Sequence, residues 1–548
     1  MAEARPLSLL WPNGRAAHST VPLSELAGAD LELGTIATAL ADGDGPATRR
    51  VARERFAHQV LTQLLTEPEV ISYRQAVLAD LLARPELCAE LEQLVPKLEA
   101  LADAPHGERF RPTAPAGLER VARRLADLEL LVETVARLAD ALTQAAPASA
   151  GLCSVAAELH QLRTSTEFEA LERELPRLRE TLSSIRSVTL GVNLGPDLAP
   201  QSATILELST TPIEGRRALL FRLLGGAGEE HGLTPLQRGD AGPLGRPNEL
   251  VRDLRHLLAD VVGPVATALD RFGRISTERI GRLGPELGLL LGAVRLMERL
   301  RDAGLPICRP ECLPMEERRS ELVDAYDIGL ALSQRGGIVA NPIQFGPETP
   351  RVWVLTGPNR GGKTTYTRAV GIAQVLFQAG LFVPALSAQL SPVDAIFTHF
   401  PTREDPRPGM GRLDVEAERL FAIFREATPR SLILLNEALS GTSALEALDL
   451  ARGLVRGLRL LGARAIYVTH LHELASEVEE INASTPGDAR VGSLLAELEV
   501  LDGDGAARRT YRIVARPPRG VSFAAEIAEQ HGISYAQLER LLRERRLT

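Results

Sequence analysis

The stretch RVWVLTGPNRGGKTTYTRAV (351–370) leaves few folds open. RVWVLT reads as a buried strand, the residues after Lys363 begin a helical pattern, and GPNRGGKT (357–364) between them fits G-x-x-x-x-G-K-[ST]. A strand that feeds a helix through such a turn belongs in a mainly parallel sheet covered by helices. Gly357, Gly361 and Gly362 let backbone N–H groups curl around a phosphate, aided by the helix N-terminus, with Pro358, Asn359 and Arg360 completing the loop. Lys363 is placed to reach β- and γ-phosphates, Thr364 to set its hydroxyl on Mg²⁺, and Asn359 to hydrogen-bond a phosphate or the attacking water. Thr365 follows at the helix start. The alternative is a glycine turn that binds nothing. Among 62 Lys and Arg residues only Lys97 and Lys363 are lysines, so Lys363 occupies a place where a compact ammonium is required and a planar guanidinium does not fit.

Hydrolysis needs a carboxylate at the end of a neighbouring strand, and SLILLNE (431–437) supplies one in Glu437, the candidate general base. The plain alternative is a helix cap. Asn436, before it, can accept hydrogen bonds from the water shell of Mg²⁺ but brings no charge, which implies weaker metal affinity or slow turnover. A third strand, ARAIYVT (463–469), runs into His470, positioned to hydrogen-bond the γ-phosphate or Glu437. His472 completes an H-x-H that lacks the partners of a zinc shell. Cys308 and Cys312 are read as buried thiols.

Composition narrows the setting. The net charge of −9 confines any nucleic-acid surface to a local patch. The four cysteines are too few to staple 548 residues, and no apolar run approaches the roughly 18 residues of a membrane span. MAEARPLSLLWPNGR shows no clear cleavage site, so no signal peptide and a reducing cytoplasm are expected.

Upstream, residues 1–65 show only short helical stretches around Gly43, Asp44 and Gly45. From 66 to 335 the texture is helical. Val121, Leu125, Leu128, Val132, Val135, Ala139 and Leu142 step by four and three, as do Leu250, Leu254, Leu257 and Val261, and Leu287, Leu290, Val294 and Met297 after Pro285. SVTLGVNLGPDLAPQSATILEL (187–208) alternates like two strands in a helical insert, and 225–249 reads as a Gly/Pro-rich loop. The ATPase-like texture fills 336–508, with helices expected at 363–380, 413–427 and 444–461. The remainder, 509–548, ends in a helix bearing Leu538, Leu541 and Leu542.

Taken together, VANP (339–342), LTGPNRGGKTT (355–365), FVPA (382–385), DAIFTHF (394–400), LLNEALSGTS (434–443) and VTHLHELA (468–475) resemble the ATPase domain of the MutS family over 336–480. Weaker similarity links 65–87 to the opening of the MutS helical core and 509–541 to the helix-turn-helix that ends the ATPase domain. The resemblance implies an α/β P-loop (ABC-like) ATPase domain preceded by a mainly α-helical core and lever domain, with a small clamp insert near 187–245. It implies ATP and Mg²⁺ as ligands, a homodimer with nucleotide at the subunit interface, and DNA as partner, with no membrane. By position it makes Glu437 the base, His470 a sensor, and Gly441, Thr442 and Ser443 the loop facing the partner subunit. Ile338 and Asn341 fall at the nucleotide edge, Ile338 where the family stacks an aromatic residue on adenine. GMGRLDVEAE (409–418) has Gly411 in place of a serine that touches the other subunit's γ-phosphate, with Arg412 beside it.

No F-x-E wedge is found in the N-terminal part and no nuclease-like segment after the ATPase, so a reduced member without classical mismatch reading is expected. Arg216, Arg217, Arg222, Arg246, Arg252 and Arg255 around the insert are candidate phosphate contacts, or solvated helix faces. Three functions follow: a DNA-binding ATPase that changes conformation with ATP, a nucleotide-gated switch on a protein or ribonucleoprotein partner, and an idle ATPase serving as a structural dimer.

Overall fold

The computed structural model describes residues 7–12, 18–43, 45–103, 118–183, 187–196, 200–211, 265–269, 272, 277–334, 336–401, 412–439, 443–500, 507–518 and 535–545. It begins with β1 (Thr20–Pro22), α1 (Glu25–Asp30), α2 (Leu33–Leu40), α3 (Ala47–Leu61) and β2 (Gln63–Leu65). Helices α4 (Pro68–Leu82), α5 (Pro85–Ala102), α6 (Leu118–Ala145), α7 (Ala150–Arg163) and α8 (Thr166–Ser183) follow, then the hairpin β3 (Ser187–Leu194) and β4 (Pro200–Ser209), α9 (Thr277–Gly281) and α10 (Leu283–Asp302). Next come β5 (Glu311–Cys312), β6 (Ser320–Ala325), α11 (Ile328–Ser333), β7 (Asn341–Phe345), β8 (Val352–Thr356), α12 (Lys363–Gln378), β9 (Ser387–Leu390) and β10 (Ile396–His399). The chain continues through α13 (Arg412–Glu426), β11 (Leu432–Asn436), α14 (Ala444–Leu461), β12 (Arg464–Val468), α15 (His472–Ser476), α16 (Val478–Ser484), β13 (Val491–Val500), β14 (Ala507–Val514) and α17 (Tyr535–Glu544).

Two compact units result, one of Met1–Glu92, Pro147–Cys153 and Pro285–Thr548, the other of Gln93–Ala146 and Ser154–Gly284. In the second, α6 packs along α8, with the stepped residues Val121, Leu125, Leu128, Val135, Ala139 and Leu142 buried. Arg279 bonds Glu158 at 2.6 Å, and β3 and β4, the two strands expected from the alternation, pair antiparallel. The candidate arginines 216, 217, 222, 246, 252 and 255 and the stepping from Leu250 lie outside the described residues.

The first unit is built on a described six-stranded sheet of order β10-β11-β12-β8-β13-β14, parallel except for β14. Strands β8, β11 and β12 are buried at every residue, as a parallel sheet covered on both faces requires. A second sheet, β5-β9-β6-β7, crosses the expected 335/336 boundary, because β6 pairs with both β7 and β9.

For residues 1–65 the sequence suggests only short helical stretches, and the described part of them takes a definite form. They fold as α1–α3 with the β1–β2 pair and dock on the six-stranded sheet. Asp30 accepts from Thr398 Oγ1 of β10 at 2.6 Å and from Arg419 Nη2 of α13 at 3.1 Å. Arg368 of α12 donates to the Asp30 carbonyl at 3.3 Å and pairs with Glu32 at 2.9 Å. The segment before them, residues 7–12, is pinned as well: Glu286 accepts from Ser8 Oγ (2.8 Å) and Leu9 N (2.6 Å). Arg74, 4.4 Å over the Trp11 ring, donates to Leu10 O and to Ala379 O at the end of α12. A buried guanidinium that satisfies two carbonyls and stacks on an indole joins three chain segments at one point.

Candidate functional site

The parallel register sets the C-terminal ends of β8, β12 and β11 side by side, Asn436 opposite Val468 and Val468 opposite Leu355, the edge at which open α/β sheets bind ligands. Past β8 the chain turns through Gly357, where φ is +140° and a Cβ would lie 2.6 Å from that of Ala496. Gly362 caps α12 in the left-handed conformation, at φ +92°. These two positions admit only glycine without strain.

Lys363, 4% exposed, curls back over the loop and donates to the carbonyls of Gly357 (2.9 Å) and Pro358 (3.0 Å). Burial pushes its pKa down to about 8, against a smaller opposing pull from Glu437. A triphosphate binds the ammonium form, so above about pH 8 the lysine must regain a proton on binding. Fluorescent-nucleotide Kd is expected to be flat below that pH and to weaken by up to about tenfold per unit above it. An affinity constant to pH 10 would contradict this.

Asn436 donates to Thr364 Oγ1 at 3.3 Å, and its Oδ1 is buried without a protein partner. An orphaned acceptor beside a threonine hydroxyl fits a hydrated divalent cation. Among the described residues no three His, Cys, Asp or Glu side chains form a metal cluster.

Glu437 and His470 meet at 2.7 Å, Oε1 to Nε2. That hydrogen bond is the largest influence on Glu437 and, with the charges of His470 and Lys363, holds its carboxyl below the usual range against the opposing effect of burial. Glu437 is therefore ionised at neutral pH.

A cavity of about 430 Å³ gathers Asn359, Arg360, Gly361, Gly362, Lys363, Thr364, Thr365, Asn341 and Glu437 from the sequence-based set. Asn341 holds β14 in place, accepting from Ile513 N at 2.7 Å and donating to Tyr511 O at 3.1 Å, while its side of the strand lines the cavity. Ile338 is not part of the wall, which is made by its neighbours Gly337 and Val339. Ser443 caps α14, accepting from Glu446 N and donating to its carboxylate at 2.8 Å, so its hydroxyl is used locally. Gly411, Gly441 and Thr442 lie outside the described residues, as does the side chain of Arg412.

Tyr511 was not foreseen. This half-exposed ring, at φ +58°, lines the cavity and would lie 3.5 Å from a Cβ at Gly362. Nothing in RRTYRIV distinguishes it, because its place depends on the bond from Asn341, far away in sequence.

Two family models match the chain, MutS domain V over residues 353–511 and the MutS2 N-terminal domain over residues 66–303. The chain belongs to the MutS family. It is 27% identical over 553 residues to the DNA mismatch repair protein MutS of Rhizobium meliloti (strain 1021), covering 92% of this chain and 59% of that protein. Identity to the DNA mismatch repair protein MutS 2 of Halobacterium salinarum is 37% over 179 residues, 31% of this chain and 20% of the relative. The DNA mismatch repair protein msh3 of Aspergillus terreus is 32% identical over 251 residues, 43% and 21% of the two chains. The matched part of this MutS-family chain thus spans less than two thirds of the length of each of these relatives. No helix among its described residues is long and apolar enough to cross a membrane.

Proposed function

We propose that this chain is a Mg²⁺-dependent ATPase that acts on DNA as a homodimer, coupling ATP binding and hydrolysis to a change of conformation. The observation that carries the reading is the meeting of the phosphate loop, Asn436 and the Glu437–His470 pair at the ends of three adjacent parallel strands. The glycine-loop N–H groups and Lys363 hold the β- and γ-phosphates. Thr364 and Asn436 would hold magnesium, which neutralises charge between the two phosphates when bound. Glu437 takes a proton from the water that attacks the γ-phosphorus as the bond to the β-phosphate oxygen breaks, and His470 keeps that carboxylate ionised and aimed. Tyr511 offers the aromatic face for the base that Ile338 does not. The relatives' names support DNA as the partner.

The test is binding of the purified chain to labelled homoduplex, mismatched duplex, four-way junction and single-stranded RNA, with ADP or a non-hydrolysable ATP analogue, across a salt series. Nucleotide-sensitive binding to one DNA form, weakening with salt, is expected. No binding to any of them at low salt would reject the DNA reading and move the choice to a switch on a protein partner.

A further inference from the structure

We propose that Glu416 is a positioning residue for hydrolysis: from α13 it clamps the turn that carries Glu437, setting the rate of turnover without touching nucleotide. This rests on the reading of Glu437 as the base. The turn after β11 is unusual in its backbone. Glu437 has φ +53° and Leu439 φ +67°, two left-handed residues within three positions, neither of them glycine, asparagine or aspartate. Such a conformation persists only where its surroundings over-determine it.

Among the described residues three hydrogen bonds do so. Glu437 N donates to Val468 O at 2.9 Å, and Tyr467 Oη to Ala438 O at 3.2 Å, both from β12. The third is the bond from Leu439 N to Glu416 Oε2 at 2.8 Å, supplied by a side chain from outside the sheet. Glu416 is 9% exposed and Leu439 4%, so bulk water is poorly placed to replace that acceptor. Without it, the left-handed Leu439 is released on one side. The turn then relaxes towards ordinary backbone and swings the Glu437 carboxylate away from its position 2.7 Å from His470. Lys363, Thr364 and the glycine loop are anchored elsewhere, so nucleotide affinity is left in place while the base loses its aim.

The test compares ATP turnover and fluorescent-ATP affinity, with Mg²⁺, for the full chain as wild type, Glu416→Ala, Glu416→Gln, Glu437→Gln and the Glu416→Ala/Glu437→Gln pair. Loss of aim at a reacting group costs on the order of tenfold to a hundredfold in rate. Glu416→Ala is expected to lose that much kcat with Kd within about twofold. Glu416→Gln, whose amide oxygen still accepts from Leu439 N, is expected to recover most of it. Adding Glu416→Ala to Glu437→Gln should slow turnover no further, because the group being positioned is already inert. Wild-type turnover in Glu416→Ala, or Kd weakening in step with kcat, overturns the proposal. If Glu416→Ala does not fold, Glu416→Asp, one methylene too short to reach, replaces it, and equal rates in Asp and Gln variants overturn it. Glu437→Gln hydrolysing like wild type is the separate result that removes the base assignment and this proposal with it.

Discussion

Glu437→Gln is expected to hydrolyse ATP about a hundredfold to ten-thousandfold more slowly than wild type while binding it at least as tightly. The amide keeps the size of the side chain but cannot take up a proton, and it removes a negative charge from a cavity that must hold a triphosphate. Lys363→Ala should fail earlier, at binding. Phosphate release and fluorescent-nucleotide titration on the two variants separate these losses. The pH profile adds a check on mechanism. The hydrogen bond from His470 favours the ionised carboxylate, so the folded pKa lies below the ordinary one. Activity and the matching increment of stability are then present above the ordinary carboxylate pKa and lost as pH falls through the lowered one. In His470→Ala the acid limb of kcat should move upward. An acid limb identical in both proteins would mean that His470 does not act through Glu437.

Arg464→Leu is expected to destabilise the six-stranded sheet by about 3–5 kcal/mol: a buried acceptor left without its donor costs about 1–3 kcal/mol and several are left, partly offset because a cation is no longer buried. The side chain is 1% exposed at the start of β12. Its guanidinium donates to Arg319 O (2.9 Å), Ser320 Oγ (2.8 Å), Ser391 O (3.1 Å) and Pro392 O (3.1 Å), tying the six-stranded sheet to the β6 and β9 region of the second. Burial pushes its pKa down to about 9, still above neutrality, so the cation persists at pH 7. Leucine would leave four acceptors without their donor. Urea unfolding followed by Trp353, buried in β8, with Trp11 replaced by Phe, reads the effect directly. A shift worth less than about 1 kcal/mol would show that those acceptors find other donors.

The strands around the phosphate loop were legible because each combines a continuous apolar run with a turn signal, and the helices after them keep a 3.6-residue period. The stepped helix α6 and the β3–β4 hairpin were legible for the same reason. What escaped depends on pairs distant in sequence. Asp30 reads as one of many surface acids until Thr398 and Arg419 are brought to it. Nothing in VANP shows that the Asn341 side chain also pairs with the backbone of β14. The left-handed backbone at Glu437 and Leu439 has no local signature, since neither residue type favours it. In the site itself, glycines, lysine and carboxylate were visible as chemistry, whereas Tyr511 and Glu416 acquire a role only through tertiary neighbours.

The strand order has a consequence for biosynthesis. β8 lies between β12 and β13, so the segment that carries the phosphate loop leaves the ribosome about 100 residues before either strand that flanks it. At about 5–20 residues per second this is a wait of roughly 5–20 s. During that time an apolar strand and the helix behind it have no sheet to join. Strand β9 emerges sooner and can already pair with β6, so the small sheet is able to close first and to shelter part of α12. Nascent chains halted before residue 464 should therefore bind chaperones strongly, and those carried past residue 500 should release them.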